Sequence, residues 1–193
     1  MSGTANKLIE EATKLITDVG YNGFSYADLA ERLAIRKPSI HHHFPSKVDL
    51  VVAVVEQQRD HIRAQLSLLE DHNPDPMAQL VAYVDYWKRC IENDSATFCL
   101  AGVLAAELPG LPEQVSASVQ GHFNDLGRWI ERVLTLGLEK GDIRLELEPK
   151  FSAQFFQTAV YGAMIMARAY KDPTKFSLVV DAFINRMQVP GRV

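Results

Sequence analysis

Apolar and polar positions alternate with a helical period along almost the whole chain. Spacings of three and four residues place a single apolar stripe along an amphipathic helix, and Gly20 ends the first such stripe. The stripe consists of Leu8, Ile9, Ala12, Leu15, Ile16 and Val19. Similar stripes follow up to residue 188, and no segment alternates residue by residue as a half-buried strand does. The pattern predicts an all-α fold of about nine helices.

Proline, glycine and capping residues divide this pattern. Ser25 followed by Asp28, and Ser46 followed by Asp49, have the spacing of a capped helix start. Pro38 suits the first turn of a helix between them. Three short helices at the start are thus predicted to precede a longer bundle, which divides the chain into residues 1–48 and 49–193. The bundle helices that follow the first long one are predicted over residues 77–93, 96–107, 149–170 and 173–188, with a long helix through Val119 that ends near Gly141 before the last two.

Composition excludes several classes of protein. The chain is 47% hydrophobic, enough for a sizeable core. Its beginning lacks the basic segment and apolar run of a secretory signal, and no apolar stretch is long enough to span a bilayer. Two cysteines in 193 residues do not form a disulfide framework. These features favour a soluble, cytoplasmic protein with no membrane partner.

The net charge of −4 is unusual for a protein that binds nucleic acid. The local distribution matters more, because only the docking surface meets phosphates. Between Arg32 and Leu50 the chain has four basic residues and one acidic residue, an excess of three positive charges. This window, which includes three histidines, is the candidate for a DNA-binding surface.

The window has the pattern of a helix-turn-helix, with a tight turn around residues 34–36. In the second helix Ile40 and Phe44 are predicted to point inward, so Ser39, His41 and His42 project to the other side. Polar groups there can read base edges, while flanking cations neutralise phosphates. The helix starts at Ser25 and Ser46 offer further phosphate sites through their free N–H groups.

These residues resemble the DNA-binding domain of the TetR/AcrR family of transcriptional regulators. The matching segments are Gly20-Tyr21, Phe24-Ser25, Leu29-Ala30, Leu33, Lys37 to Phe44, Ser46-Lys47 and Leu50. Two positions differ: Ala34 stands where the turn usually holds glycine, and His41 where an aromatic residue is frequent. Ala34 strains the turn if its backbone is left-handed. Together, the pattern and the resemblance assign DNA contacts to Ser25, Tyr26, Arg36, Lys37, Pro38, Ser39, His41, His42 and Lys47.

The run His41-His42-His43 does not indicate a metal site. Adjacent helical residues point about 100° apart, so three in a row cannot converge on one ion. We expect His43 to be partly buried and the other two to face DNA. Since histidine side chains titrate near neutrality, DNA affinity is expected to rise as the pH falls from 8 to 6.

The resemblance implies that the C-terminal bundle dimerises and holds an inducer. The last two helices are apolar on nearly every side, as expected for helices that are covered on both faces. The alternative is that they pack only within their own chain. The predicted dimer interface consists of Phe155, Ala159, Gly162, Met166, Phe176, Val180, Phe183 and Met187.

Aromatic residues in the bundle are candidates for the walls of an effector pocket, although most aromatic residues at helical spacing are simply core. The absence of a dominant charged cluster favours a small, mostly hydrophobic effector. The predicted pocket consists of Gln58, Tyr83, Trp87, Phe98, Cys99, Val103, Phe123, Asn124 and Phe155.

Cys99 adds a second hypothesis. The segment from Phe98 to Glu107 is similar to a stretch in TetR-family members that respond to electrophiles, in some of which a cysteine at this helix start is reactive. A helix N-terminus lowers the pKa of a thiol. The alternative is an inert buried cysteine.

The sequence thus predicts a ligand-responsive transcriptional regulator, in the usual case a repressor. It would bind a near-palindromic operator in double-stranded DNA as a homodimer, with half-sites about 34–36 Å or a multiple apart. An enzyme is not favoured, because His61, His72 and His122 are scattered and unaccompanied; neither a cofactor nor a metal is predicted. A helical binding or scaffold protein without DNA affinity is the alternative.

Overall fold

A computed structural model describes residues 3–93 and 98–189 of the chain. These residues form nine α-helices and no β-strand, which confirms the all-α prediction. The helices are α1 (Gly3–Val19), α2 (Tyr26–Arg32), α3 (Lys37–His43), α4 (Lys47–His72), α5 (Pro76–Glu92), α6 (Leu100–Ala106), α7 (Glu113–Lys140), α8 (Pro149–Tyr170) and α9 (Thr174–Met187). A short 3-10 turn, Leu108–Gly110, follows α6. The predicted start of the sixth helix at residue 96 lies outside the described residues.

Side-chain caps fix two of the helix starts as predicted. At α2 the Asp28 carboxylate accepts hydrogen bonds from the backbone N–H and the hydroxyl of Ser25, at 2.6 and 2.7 Å. Asp49 accepts the same pair of bonds from Ser46 at the start of α4, at 2.9 and 2.7 Å. Each reciprocal cap satisfies backbone groups that a helix end otherwise leaves without partners.

Two turns in the N-terminal region have left-handed backbone. Ala34, between α2 and α3, has a φ of 51°. Its backbone is therefore left-handed, which is the condition under which the turn was expected to be strained. An L-residue with a side chain pays about 1–2 kcal/mol for this conformation. Gly20, which follows α1, has a φ of 76° and carries no such cost.

The chain divides into two compact units, and their boundaries differ from the predicted division at residue 48. Unit 1 comprises residues 1–62 and 99–123, so it adds the first part of α4, all of α6 and the start of α7 to the three short helices. Unit 2 comprises residues 63–98 and 124–193. The sequence could not show this, because α6 joins unit 1 through packing against α1, about eighty residues earlier.

Unit 1 has an aliphatic core around α1. Ile40 of α3 and Phe44, the residue that follows α3, are buried in it, as their spacing predicted. From α6, Leu100 and Leu104 belong to the same cluster. The inward direction of Ile40 fixes which side of α3 is left for solvent.

Unit 2 is built around the packing of α8 on α9 and of α5 on α9. Aromatic rings in this unit contact one another: Tyr83 lies 5.6 Å from Trp129, and the buried Phe156 lies 5.8 Å from the half-buried Phe183, between ring centroids. Lys88 of α5 forms an ion pair with Asp181 of α9 at 2.5 Å. No helix in the described part of the chain is long and apolar enough to cross a membrane.

Candidate nucleic-acid interface

The solvent side of α3 carries cations and hydrogen-bonding groups. We define the DNA-reading face as Arg36, Lys37, Ser39, His41 and His42. Ser39 is half-buried and the other four are exposed, as is Pro38 in the first turn. This arrangement follows from the burial of Ile40, because successive helical side chains turn by about 100°. The cations can contact phosphates, and the hydroxyl and imidazole groups can contact base edges.

His41 is held in a defined orientation. Its Nδ1 lies 3.0 Å from the carbonyl oxygen of Pro45, and its ring packs edge-on against Tyr26 at 4.9 Å between centroids. A carbonyl only accepts hydrogen bonds, so Nδ1 is the nitrogen that carries the proton in the neutral ring. Nε2 of neutral His41 is then an acceptor, and it becomes a donor when the ring is protonated.

Tyr26 has a different role from the one that the resemblance implies. Its hydroxyl lies within hydrogen-bond distance of two backbone carbonyls, Phe44 at 2.9 Å and Ser46 at 2.5 Å, to which it donates. Burial raises the pKa of the Tyr26 phenol. The phenol therefore ties α2 to the link between α3 and α4, and its hydroxyl is not a free DNA contact.

Ser25 is also used within the fold. Its hydroxyl donates to Asp28 and accepts from the N–H of Ala27 at 3.1 Å. Each of the two predicted phosphate sites thus has a carboxylate beside its serine, Asp28 at Ser25 and Asp49 at Ser46. Phosphate contacts at these two helix starts stay predictions.

Lys47 is the largest correction to the predicted site. Its Nζ donates hydrogen bonds to the carbonyl oxygens of Tyr21 and Phe24 instead of extending into solvent. The same Nζ lies 4.5 Å and 4.1 Å from the centroids of the Tyr21 and Phe24 rings. Burial lowers the pKa of Lys47, and the carboxylates of Glu107 and Asp28 oppose that shift. Lys47 is therefore engaged inside unit 1.

The remaining positive charge of the interface is concentrated at the start of α3. Arg32 pairs with Glu11 at 2.9 Å and is thereby partly neutralised. Arg36 and Lys37 are exposed, and neither forms an ion pair with any carboxylate among the described residues. These two cations are the ones available to phosphates.

Glu107 contacts the helix-turn-helix region although no sequence pattern indicates it. It ends α6, and its carboxylate accepts a hydrogen bond from the backbone N–H of Tyr21 at 2.9 Å. No local pattern marks it, because its partner lies 86 residues earlier in the chain.

The residues of the predicted effector pocket belong to both units. Gln58, Val103 and Phe123 of unit 1 are half-buried, and Tyr83, Trp87 and Phe98 of unit 2 are buried. Two predicted lining residues are instead on the surface: Asn124 is exposed, and the Phe155 side chain is 57% exposed. These two are removed from the predicted pocket.

Cys99 and His122 form a buried pair in unit 1. The Sγ atom of Cys99 lies 3.7 Å from Nε2 of His122, and both residues are only 3% exposed. The expectation that His122 is unaccompanied is wrong. A thiol and an imidazole at this distance can share a proton, which is the arrangement that activates cysteines toward electrophiles.

The residues of the predicted dimer interface differ in their exposure within the single chain. Phe176, Val180 and Met187 are buried in their own chain, where the α8–α9 packing covers them, so they are core residues. Ala159 and Phe183 are half-buried. We define the apolar face as the exposed residues of α8 and α9, namely Phe151, Phe155, Gly162, Ile165, Met166, Leu178 and Val179.

Two family models match the chain. The model described as bacterial regulatory proteins, tetR family, matches residues 8–54, which include the helix-turn-helix. The model described as the tetracyclin repressor-like C-terminal domain matches residues 76–183, more than half of the chain.

Individual relatives agree with both models. A transcriptional regulator of the TetR family from Agrobacterium tumefaciens has a solved structure with a TM-score of 0.93 and 40% identity, over 96% of this chain and 97% of that one. The transcriptional repressor DhaR of Mycobacterium sp. strain GP1 is 26% identical over 82% of this chain and 79% of its own length. The regulator CymR of Pseudomonas putida is 28% identical over 91% and 85%. The chain belongs to the TetR family of bacterial transcriptional regulators.

Proposed function

We propose that this protein is a homodimeric, ligand-responsive repressor that binds a near-palindromic operator through α3 of each subunit and releases it when a small effector binds. It acts in the cytoplasm, where its DNA target lies, and has no catalytic role. The observation that carries the proposal is the DNA-reading face: two exposed cations, a hydroxyl and two imidazoles on the side of α3 that Ile40 leaves to solvent.

The names of relatives support repression as the output. DhaR is a transcriptional repressor, and IcaR of Staphylococcus aureus, 21% identical over 74% of this chain, is a negative regulator. A repressor needs only to occupy its operator. The DNA-reading face carries cations for phosphates and polar groups for base edges, which suit that role.

Dimerisation is supported by the apolar face. Along α8, exposed residues recur at Phe151, Phe155, Gly162 and Ile165, with spacings of four, seven and three residues that keep them on one side of the helix. A row of exposed apolar side chains on one side of a helix is typical of an interface. A two-fold axis would place the same face of both chains against each other and present two α3 helices to two half-sites.

A mostly hydrophobic effector is supported by the pocket candidates of unit 2, because Tyr83, Trp87 and Phe98 are aromatic and buried. The effector can release DNA only if it binds one conformation of the protein more tightly than the other. The conformation that it prefers must be the one that does not fit the operator.

The experiment is a titration of DNA from upstream of the protein's own gene, followed by fluorescence anisotropy at low and moderate salt. We expect specific binding of one dimer to a near-palindromic site, with affinity that falls steeply as salt rises. Matched DNA with one half-site scrambled is the control. Absence of preference for the intact site at low salt would favour a helical scaffold protein instead.

The contact between Cys99 and His122 favours a second candidate, in which the effector is an electrophile. In this case His122 accepts the thiol proton and the Cys99 thiolate attacks the electrophile, for which N-ethylmaleimide serves as a probe. The reaction forms one C–S bond, and the double bond of the probe takes up the proton.

Peptide mass mapping and operator binding of treated protein test this candidate, with Cys99→Ser and Cys90→Ser as matched variants. Cys90 is the other cysteine and is half-buried. We expect loss of operator binding in the wild type and in C90S, and retention in C99S. An unmodified Cys99, or modification without release of DNA, rejects the electrophile hypothesis and leaves the proposal of a reversible effector intact.

A further inference from the structure

The turn between α1 and α2, residues 20–24, is held from two sides by side chains that no DNA contact explains. Lys47 comes from the first position of α4, and Glu107 from the end of α6. All of these residues belong to unit 1. The turn leads directly into Ser25, which caps α2, and α2 packs on α3. Whatever fixes the turn therefore fixes the start of the helix-turn-helix.

Lys47 binds the two ends of the turn together. Its ammonium donates to the carbonyl oxygens of Tyr21 and Phe24, and the rings of the same two residues lie within cation–π distance of it. An ammonium has three protons to donate, so this arrangement uses most of its capacity. Methionine has a similar length and shape and none of these protons.

Glu107 holds the turn from the other side. One carboxylate oxygen, Oε2, accepts from the Tyr21 N–H at 2.9 Å. The other, Oε1, packs against Gly20, where an added Cβ would overlap it. Gly20 thus meets two requirements at once: a left-handed φ of 76° and a close approach of the carboxylate.

We propose that Lys47 and Glu107 form a positioning clamp on the turn of residues 20–24, which sets the orientation of α2 and α3 for DNA without either side chain contacting DNA. The two charges are opposite and both act on Tyr21, Lys47 through its carbonyl and Glu107 through its N–H. Loss of either one frees one side of the same peptide segment.

The functional part of this inference rests on the proposed DNA binding, and three roles for Lys47 predict different results. A phosphate ligand lowers specific and non-specific affinity together and reduces the salt dependence. A residue that only stabilises the fold changes the melting temperature and leaves the affinity of folded protein unchanged. A positioning residue lowers specific affinity and leaves the salt dependence intact.

The experiment compares full-length Lys47→Met with Lys37→Gln, which removes an exposed cation of the DNA-reading face. Affinity for operator and for scrambled DNA is measured across a salt series, well below each variant's melting temperature. For K47M we expect operator affinity to fall about tenfold to a hundredfold, with the slope of log affinity against log salt unchanged. For K37Q the slope should fall by about one for each subunit.

Glu107 is tested with Glu107→Gln and Glu107→Ala, and Glu113→Gln serves as the exposed control at the start of α7. Glutamine keeps an oxygen that can accept from Tyr21, whereas alanine does not. We expect E107A to lose affinity as K47M does and E107Q to lose less. The K47M/E107A double variant should fall short of the product of the single losses, because both act on one turn.

Hydrogen exchange of the free protein gives a readout that does not depend on DNA. The clamp predicts faster exchange at backbone amides of α2 and α3 in K47M and E107A, and unchanged exchange in K37Q and E113Q. Unchanged exchange in K47M, or a salt slope that falls as in K37Q, overturns the clamp. If wild-type protein shows no operator preference while exchange responds as expected, the proposed function fails and the clamp on the turn stands.

Discussion

The DNA-reading face of α3 and the apolar face of α8 and α9 are both exposed, and they differ in what they expose. On α3 the exposed groups are two cations and hydrogen-bonding side chains. On the apolar face they are hydrocarbon side chains, such as Phe155 and Leu178, which are 57% and 71% exposed. Water solvates the first set well and the second set poorly. The first surface can therefore exchange water for phosphates and bases reversibly, while the second gains free energy when another apolar surface covers it.

Exposure has a different meaning in each of the two regions. A single exposed leucine is ordinary, but a helical row of exposed apolar residues is not. Similarly, a cation in the helix-turn-helix indicates a DNA contact only if its charged group is free to meet phosphate: Lys37 is exposed, whereas the half-buried Lys47 donates to two backbone carbonyls.

The largest effect is expected from Phe155→Asp on the apolar face. In a two-fold dimer the substitution occurs twice, and burial of one such side chain is worth about 1.5–3 kcal/mol. The dimer dissociation constant should rise at least about a hundredfold, and operator affinity should fall with it. Sedimentation velocity measures the first and anisotropy the second. Leu136→Asp, at an exposed leucine of α7, is the control and should remain dimeric; a fully dimeric F155D would place the interface elsewhere.

A smaller effect, confined to sequence preference, is expected from Ser39→Ala and His41→Ala. Loss of one base contact costs about 1–3 kcal/mol of discrimination and leaves the phosphate contacts in place. Competition binding with operators that carry single base-pair changes should show relaxed preference at one position for each variant. An equal loss of operator and scrambled-DNA binding would show that these side chains do not read bases.

A gain in stability is expected from glycine at the left-handed positions of the two regions. Ala34 has a φ of 51° and Lys171, at the end of α8, has a φ of 50°. Removal of the side chain relieves about 1–2 kcal/mol of strain and adds about 0.5–1 kcal/mol of chain entropy cost, for a net gain of about 0.5–1 kcal/mol. Urea denaturation measures both variants. Ala34→Val should lose stability; a loss in A34G as well would mean that the side chain has a contact that outweighs the strain.

The smallest effects are expected at two exposed capping carboxylates, one in each region. A hydrogen bond from Ser25 lowers the pKa of Asp28, and one from Thr174 lowers that of Asp172. A lowered pKa in the folded state contributes stability that is present above the ordinary pKa and is lost as the pH falls through the folded one. Between about pH 5 and pH 2, the melting temperatures of Asp28→Asn and Asp172→Asn should therefore decrease by less than the melting temperature of the wild-type protein does. Parallel curves for wild type and variants would contradict this linkage.

Much of the helix-turn-helix could be predicted because its determinants are local. The caps at Ser25 and Ser46 depend on a partner three residues later, and the inward direction of Ile40 depends on a 3.6-residue period. The residues that contact DNA were harder to predict. Ser25 and Tyr26 have the right position and the right chemistry for DNA, but their hydroxyls are bound to Asp28 and to backbone carbonyls.

In the bundle, periodicity identified α8 and α9 as helices that need cover, but it did not say which side the chain covers itself. Phe176 and Val180 are as apolar as Phe155 and Leu178, and only the packing of α8 on α9 separates buried from exposed. The pair of Cys99, which precedes α6, and His122 of α7 is 23 residues apart and has no signal in the spacing.

The sequence by itself determined the helices, their caps, the polar side of α3 and the resemblance to a family of regulators. These depend on interactions between residues within about four positions, whose geometry the helix imposes. Only the tertiary structure decided that Lys47 and Glu107 meet at one turn, that His122 accompanies Cys99, and which apolar residues remain exposed. A long side chain such as that of Lys47 can extend to solvent or fold inward, and the choice is made by partners distant in the chain that arrive only when the helices pack.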